Sequence, residues 1–428
     1  MNKIVFDQLE ETLYHEKLEN GLEVFILPKS GFNKTFATFT TKYGSIDNQF
    51  IPINESKPVR VPDGIAHFLE HKMFEKEDGD VFQQFSKQGA SANAFTSFTR
   101  TAYLFSSTSR IEENLSTLIN MVQEPYFTDK TVEKEKGIIG QEITMYDDNP
   151  DWRLYFGLIE NMYHHHPVKI DIAGTIESIS NITAEHLYEC YNTFYHPSNM
   201  LLFITGPVNP EEIMEFVRSG QKARSYGAAP EINRYFEKEP ETVATKQQVL
   251  KMNVQTPKCL VGVKALEVNE SGKEMLKSEL SINILLDMLF GKSSDNYEEL
   301  YNEGLIDDTF QFDYTQELGF GFAMLGSDTK KPDLLAERLQ KIMLEAKDGK
   351  HLSEDDLERA KRKRIGGFLR SINSPEYIAN QFTRYAFNEM GFFEVVPVLE
   401  DLTYTDITNA AKNFFDDSRM TVCQVVPK

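Results

Sequence analysis

The chain has 428 residues and a formal net charge of −21 at pH 7. This length predicts two or more domains with full hydrophobic cores, and the acidic balance excludes a polyanion such as nucleic acid as a partner. The three cysteines are far apart in the sequence and odd in number, which argues against a disulfide framework and favours small core side chains.

The segment 1–17 carries charges every few positions and lacks the apolar run of a signal peptide. No later stretch approaches the roughly eighteen apolar residues that a membrane helix needs. We therefore expect a soluble, cytoplasmic protein in a reducing compartment, with no membrane partner.

Residues 67–71 read His-Phe-Leu-Glu-His, the most informative motif of the chain. On a helix, His67 and His71 lie one turn apart with Glu70 between them, so all three side chains leave one face. Two imidazoles at this spacing can bind a zinc ion, and the carboxylate beside them can take a proton from water. The alternative is a helix with two exposed histidines and a solvated glutamate. The core face of this helix is expected to carry Ile65, Phe68, Leu69 and Met73.

The next segment has the pattern of a strand. Residues 90–95 alternate alanine with serine, asparagine and phenylalanine, and residues 96–109 are rich in threonine and aromatic side chains. Small residues on one face leave a backbone row that an extended peptide can pair with, and Asn93 could hydrogen-bond such a peptide. The alternative is an ordinary hairpin whose small residues pack under a helix.

Residues 131–147 have helical spacing. Glu135 and Glu142 lie nearly two turns apart and share a face, so Glu142 could be a third zinc ligand with Glu135 behind it, orienting another ligand. Gly137 and Gly140 suggest close approach of another backbone, because glycine is unfavourable inside a helix. The alternative is a solvated glutamate face. The buried positions are expected to be Val132, Ile138, Ile139, Ile143 and Tyr146.

The combination of H-x-x-E-H, the block 89–105 and a later E-x(6)-E resembles the pitrilysin and mitochondrial-processing-peptidase family of zinc endopeptidases. The resemblance covers essentially the whole chain and is nearest to the small paired cytosolic peptidase-like proteins of Gram-positive bacteria. It implies that His67, His71 and Glu142 bind Zn²⁺ and that Glu70 is the general base.

The same resemblance implies further roles. Glu135 would be a catalytic acid lying behind the ligands, and Asn93 and Ala94 would bind the substrate backbone along a sheet edge. The function expected is that of a zinc endopeptidase hydrolysing peptides or small unfolded proteins in an enclosed chamber. Its fold would be α+β, with two tandem homologous domains, each a mostly antiparallel sheet with helices packed on one face.

An internal repeat supports the two-domain expectation. Residues 183–207 align without gaps on residues 403–427, and both copies read as a helix with a threonine N-cap, a turn and an apolar strand. The predicted domains are residues 1–220, which carry the zinc motif, and residues 247–428, joined by a linker over 221–246. In the second domain the counterparts of the zinc motif are Asn283, Leu286 and Asp287, so that domain is expected to be metal-free.

Two further segments carry histidine, arginine or tyrosine residues. The adjacent His164, His165 and His166 point in different directions on any regular element, so we expect a solvated loop and assign them no role. Relatives usually bring an arginine and a tyrosine from the second domain, but the segment 310–325 contains no arginine. The pair at 384–385, Arg-Tyr, is a possible substitute.

The missing arginine leads to an alternative function. The chain would then be a non-catalytic or half-site subunit of a heterodimeric peptidase, inactive without its partner. We accordingly expect a homodimer, or a heterodimer with a related and metal-free subunit.

Overall fold

The computed structural model describes residues 1–53, 55–229, 231–266 and 270–428. Its strands, in chain order, are β1 (Asn2–Phe6), β2 (Glu11–Lys17), β3 (Glu23–Pro28), β4 (Thr35–Thr41), β5 (Gln49–Phe50), β6 (Val59–Arg60), β7 (Glu75–Lys76), β8 (Gly79–Asp80), β9 (Ala90–Thr96), β10 (Thr101–Ser107), β11 (Met200–Gly206), β12 (Gln247–Met252), β13 (Lys258–Lys264), β14 (Gln311–Glu317), β15 (Phe320–Asp328) and β16 (Met420–Pro427).

The helices are α1 (Ile65–Met73), α2 (Val81–Lys87), α3 (Ile111–Gln123), α4 (Asp129–Asp147), α5 (Pro150–Met162), α6 (Ile176–Ser180), α7 (Ala184–Phe194), α8 (Pro210–Lys222), α9 (Gly272–Phe290), α10 (Asp295–Asn302), α11 (Pro332–Ala346), α12 (Glu354–Ser371), α13 (Pro375–Phe387), α14 (Val395–Asp401) and α15 (Tyr404–Phe414). Among the described residues, none of these helices is both long enough and apolar enough to cross a membrane.

The described residues divide into two compact units, each built from three segments. Unit 1 comprises Met1–Ile143, Ile170–Phe236 and Ser371–Phe387, and unit 2 comprises Thr144–Lys169, Glu237–Arg370 and Asn388–Lys428. The units are therefore not contiguous in sequence. Helix α5 precedes most of unit 2 in the chain but belongs to it, and α13 lies in the C-terminal half of the chain but belongs to unit 1. Helix α5 packs on β12, β13 and β16 of unit 2, and α13 packs on β4 and β11 of unit 1.

Each unit contains one large mixed sheet. Within the described residues, the strand order is β1-β2-β3-β11-β4-β10-β9 in unit 1 and β12-β16-β13-β15-β14 in unit 2. The pairing is antiparallel except for β3 with β11 and β12 with β16. The run β3-β11-β4-β10-β9 therefore repeats as β12-β16-β13-β15-β14, which confirms an α+β fold with two related sheets.

In the sheet of unit 1, helix α13 lies on the face opposite to α2. Phe203 on β11 lies opposite Thr38 on β4, so their side chains share a face, and the Phe203 ring contacts Phe382 of α13 at 4.6 Å between centroids. Tyr103 and Phe105 occupy the other face, where Phe105 contacts Phe85 of α2 at 5.9 Å. Helices therefore cover both faces, because the apolar faces of α2 and α13 bury against opposite sides of the sheet.

The predicted repeat is confirmed in local structure. Thr183 caps α7 by accepting a hydrogen bond from the His186 N–H at 3.2 Å, and Thr403 caps α15 by accepting one from Asp406 at 3.3 Å. Each helix leads through a short 3-10 turn into a central strand, β11 or β16. The three cysteines are buried and free, as expected of small core side chains.

Candidate active site

Helix α1 presents the histidine pentad and is fixed at its start by a glycine. Gly64 has φ +89°, and a Cβ atom there would lie 2.4 Å from the carbonyl oxygen of Ala173, so only glycine allows this approach. The opposite face of the helix is core, as predicted from the spacing, and its residues are at most 3% exposed: Ile65, Phe68, Leu69 and Met73.

Three side chains of unit 1 converge beside α1. His67 Nε2 lies 3.7 Å from Glu142 Oε1, and His71 Nε2 lies 3.6 Å from Glu142 Oε2. One ligand atom from each residue lies within 4.8 Å of the other two. Ligand atoms around a tetrahedral zinc ion are roughly 3.3–3.5 Å apart. The two nitrogens and the carboxylate therefore fit a small divalent cation with little adjustment.

Glu135 lies behind this cluster. Its Oε1 is 3.1 Å from His71 Nδ1, and the residue is 8% exposed. Burial opposes charge on the His71 ring, but the hydrogen bond to Glu135 and the negative charges of Glu70, Glu135 and Glu142 together outweigh it and raise the pKa of His71. In a neutral His71, a proton held on Nδ1 by this carboxylate leaves the Nε2 lone pair directed toward Glu142.

The surroundings of His67 favour its neutral form. Burial, and then the neighbouring His71, lower the pKa of His67 to about 4. Its buried Nδ1 has no hydrogen-bond partner within the described part of the chain. A neutral imidazole is the form that binds metal ions, so the surroundings of His67 suit a ligand role.

Glu70 is the acidic side chain next to the cluster. It is 8% exposed, and burial raises its pKa. The Thr96 hydroxyl donates a hydrogen bond of 2.6 Å to Glu70 Oε2. Thr96 was not among the site residues predicted from the sequence. The alternation of Ala92, Ala94 and Thr96 on one face of β9 was the signal that could have identified it.

The two residues expected to bind substrate lie on β9, which ends the strand order of its sheet among the described residues. Asn93 is exposed, and its Oδ1 accepts the N–H of Ala94 at 2.9 Å. Helices α1 and α2 both pack against this strand. The outer edge of β9 therefore lies beside the cluster, and the strand also packs under helices α1 and α2.

The histidine triplet lies in a loop, as expected, but this loop is only partly solvated. His166 is 3% exposed, and the backbone N–H groups of His164, His165 and His166 each donate to the carboxylate of Glu239 at 2.8 Å. Lys264, which is 2% exposed, donates to the same carboxylate. The backbone of the triplet therefore binds an ion pair of unit 2 formed by the buried Lys264 and the partly buried Glu239.

The counterparts of the zinc motif in unit 2 have other partners. The Asn283 side chain donates to the Glu279 carbonyl on its own helix, and Asp287 accepts from Lys363 Nζ at 2.5 Å. Tyr385 lies on α13 of unit 1 and is 7% exposed, with the Arg384 guanidinium over its ring.

The sequence and the fold are both similar to those of known peptidases. Residues 60–176 match the model of the insulinase family, peptidase family M16, and residues 181–364 match that of the peptidase M16 inactive domain. The "uncharacterized zinc protease YmfH" of Bacillus subtilis is 65% identical over 425 residues, covering 99% of each chain.

Two less similar proteins also match most of this chain. A solved structure from Alicyclobacillus acidocaldarius, described as an M16-like peptidase, is 39% identical with a TM-score of 0.94, covering 98% of this chain and 99% of that one. The "zinc protease PqqE" of Helicobacter pylori is 23% identical over 423 residues, covering 96% of this chain and 92% of that protein. The fold and the matched sequences define a two-domain peptidase class. This chain belongs to peptidase family M16, the insulinase family.

Proposed function

We propose that the chain is a zinc endopeptidase whose metal is held by His67, His71 and Glu142. The observation that carries this proposal is the convergence of two imidazole Nε2 atoms and one carboxylate within 4.8 Å, beside the buried Glu70. When bound, Zn²⁺ would supply Lewis acidity toward a water molecule and a peptide carbonyl. Glu135 would keep the His71 ring oriented.

Glu70 would act as the general base and then as the acid. Its carboxylate takes the proton of the attacking water and passes it to the nitrogen of the leaving amine. A raised pKa suits this double task, because it makes the carboxylate a better proton acceptor than an ordinary glutamate. Thr96 restrains one carboxylate oxygen, leaving the other for the proton.

Substrates would be peptides or small unfolded proteins that add to the edge of β9. Asn93 and Ala94 are proposed to bind their backbone, supported by their place on the last strand of the sheet. We also propose that residues 1–220 form the metal-bearing domain and residues 247–428 its degenerate counterpart, joined through 221–246. Cleavage in an enclosed chamber and a cytoplasmic location belong to the same proposal.

The test is cleavage of a quenched peptide library by the purified chain, with zinc content measured in every sample. Wild type should cleave, and Glu70→Gln should lose about 10²–10⁴-fold in rate at equal zinc. Glu133→Gln is the matched control, since Glu133 lies on α4 with its side chain 69% exposed. Equal cleavage by wild type and Glu70→Gln would overturn the proposal.

A second candidate function is a half-site subunit that needs a related, metal-free partner. It is favoured by the segment 310–325, which contains no arginine, and by Tyr314, which is 5% exposed and donates to Gln316. Zinc bound at full occupancy without cleavage by the lone chain would support it. A monomer by light scattering with full peptidase activity would contradict both this candidate and the proposed dimer.

A further inference from the structure

Strand β9 contacts the proposed general base through one side chain. Thr96 Oγ1 donates to Glu70 Oε2 at 2.6 Å. Among the described residues, this is the one side-chain hydrogen bond to that carboxylate. Threonine is stiff at χ1 because it is branched at Cβ, so its hydroxyl is held by the backbone of the strand. The position of Glu70 is therefore tied to the position of β9.

The hairpin register shows which backbone groups of β9 face outward. The Ser97 N–H donates to the Arg100 carbonyl at 2.8 Å, so these residues form a hydrogen-bonded pair. In an antiparallel ladder such pairs recur at every second residue. Phe95 therefore bonds across to β10, while Thr96 and Ala94 turn their backbone groups to the outer edge.

The Ala94 N–H provides independent support for this register. It donates to the Asn93 side chain at 2.9 Å, as expected of an N–H on the outer edge of the strand. The outer edge is thus formed by the N–H and C=O groups of Ala92, Ala94 and Thr96. Thr96 alone among these three also carries a polar side chain, and that side chain contacts Glu70.

We propose that Thr96 is a positioning residue that sets the Glu70 carboxylate in register with a peptide paired along the outer edge of β9. The inference rests on the proposed peptidase function and deepens it. The Thr96 backbone belongs to the row that the peptide strand would pair with, and its hydroxyl restrains Glu70. One residue then fixes both the scissile segment and the group that takes the proton. Small displacements at a reacting centre cost large factors in rate.

The test compares Thr96→Val, which removes the hydroxyl at nearly equal volume, with Thr96→Ser, which retains it. Thr96→Val should lower kcat about 10–100-fold, with KM within about twofold and zinc content unchanged. Thr96→Ser should recover most of kcat. Thr117→Val is the matched control, since Thr117 is buried and its hydroxyl donates to the Glu113 carbonyl within α3. An unchanged kcat in Thr96→Val, or an equal loss in Thr96→Ser, would overturn the proposal.

A structural measurement separates this inference from the proposed function. In crystals of the zinc-loaded protein, the Glu70 carboxylate should leave its wild-type rotamer in Thr96→Val and keep it in Thr96→Ser. If the wild type cleaves no peptide, the proposed function fails, and the Glu70 rotamer still decides the inference. An unmoved carboxylate in Thr96→Val would overturn it. If the valine variant folds poorly, Thr96→Ala removes the same donor with less apolar bulk.

Discussion

His71 Nδ1 lies 3.1 Å from the buried carboxylate of Glu135, and this contact fixes Nε2 as the ring nitrogen that is turned to Glu142. Histidine ligands of metal ions usually depend on such an outer partner for orientation and basicity. If His71 binds zinc as proposed, Glu135 would affect metal affinity separately from any effect on cleavage.

Glu135→Gln should weaken zinc binding about 10–100-fold, because a neutral amide holds the His71 proton less firmly than a carboxylate. The measurement is a competition titration against a chelator of known affinity. Glu133→Gln on the exposed side of the same helix is the control and should bind zinc as the wild type does. Equal affinities in all three proteins would show that Glu135 does not orient the ligand.

Removal of the metal should lower thermal stability. A ligand that binds only the folded state stabilises it by about 4 kcal/mol when its free concentration is 1,000 times Kd. We expect chelation to lower the melting temperature of wild type by several degrees and to have little effect on Glu142→Gln. Differential scanning fluorimetry with and without zinc measures both. The same zinc-dependent shift in Glu142→Gln would mean that zinc binds elsewhere.

The ion pair between Lys264 and Glu239 should affect how the free energy of unfolding depends on pH. Burial opposes ionisation of Glu239, but hydrogen bonds from Lys264 and from the backbone of 164–166 outweigh it and lower its pKa to about 2. The ordinary value is 4.5. A lowered folded-state pKa contributes to the free energy of unfolding. This contribution is complete above about pH 4.5 and is lost as the pH falls toward 2.

Glu239→Gln should therefore be less stable than wild type at pH 7, and this difference should shrink as the pH falls below 4.5. Urea unfolding at several pH values down to 3 measures the change. Glu237→Gln is the control, because that side chain is 71% exposed. A difference between Glu239→Gln and wild type that grows on acidification would contradict the assignment.

The docking of α13 on the first sheet predicts a local effect of mutation. The Phe382 ring lies 4.6 Å from Phe203 and 4.9 Å from Phe25 between centroids. Phe382→Ala should lower the free energy of unfolding by about 3–5 kcal/mol, because it leaves a cavity. Hydrogen–deuterium exchange of peptides from β4 and β11 should report this loss. Leu369→Ala, at a side chain 43% exposed, should leave that exchange unchanged.

Local pattern predicted much of this site. The spacing of the pentad placed four apolar residues in the core correctly, and the E-x(6)-E spacing put Glu135 and Glu142 on one face beside α1. The gapless repeat anticipated the duplicated strand order. These features depend on neighbours close in sequence or on internal similarity, which a single chain contains.

Features that depend on distant partners were not predicted. Ile138 was expected to be buried and is 46% exposed, because the contacts of α4 cover only a narrow stripe of the helix. A Cβ at Gly137 or Gly140 would meet no atom within 4 Å, so the expected close backbone approach is wrong for the described chain. The burial of His166 needed knowledge of Glu239, which lies far along the sequence.

The placement of α13 has a consequence for how the chain folds during synthesis. The N-terminal sheet has all its strands once β11 has been made, yet Ser371–Phe387 of its compact unit emerge from the ribosome only near the end of translation. Until then, the face that carries Phe203 and Phe25 lacks its covering helix and exposes apolar surface. A fragment that stops at the end of the zinc-motif half would keep that surface exposed permanently. Such a fragment should aggregate, and adding a peptide of residues 371–387 should restore its solubility.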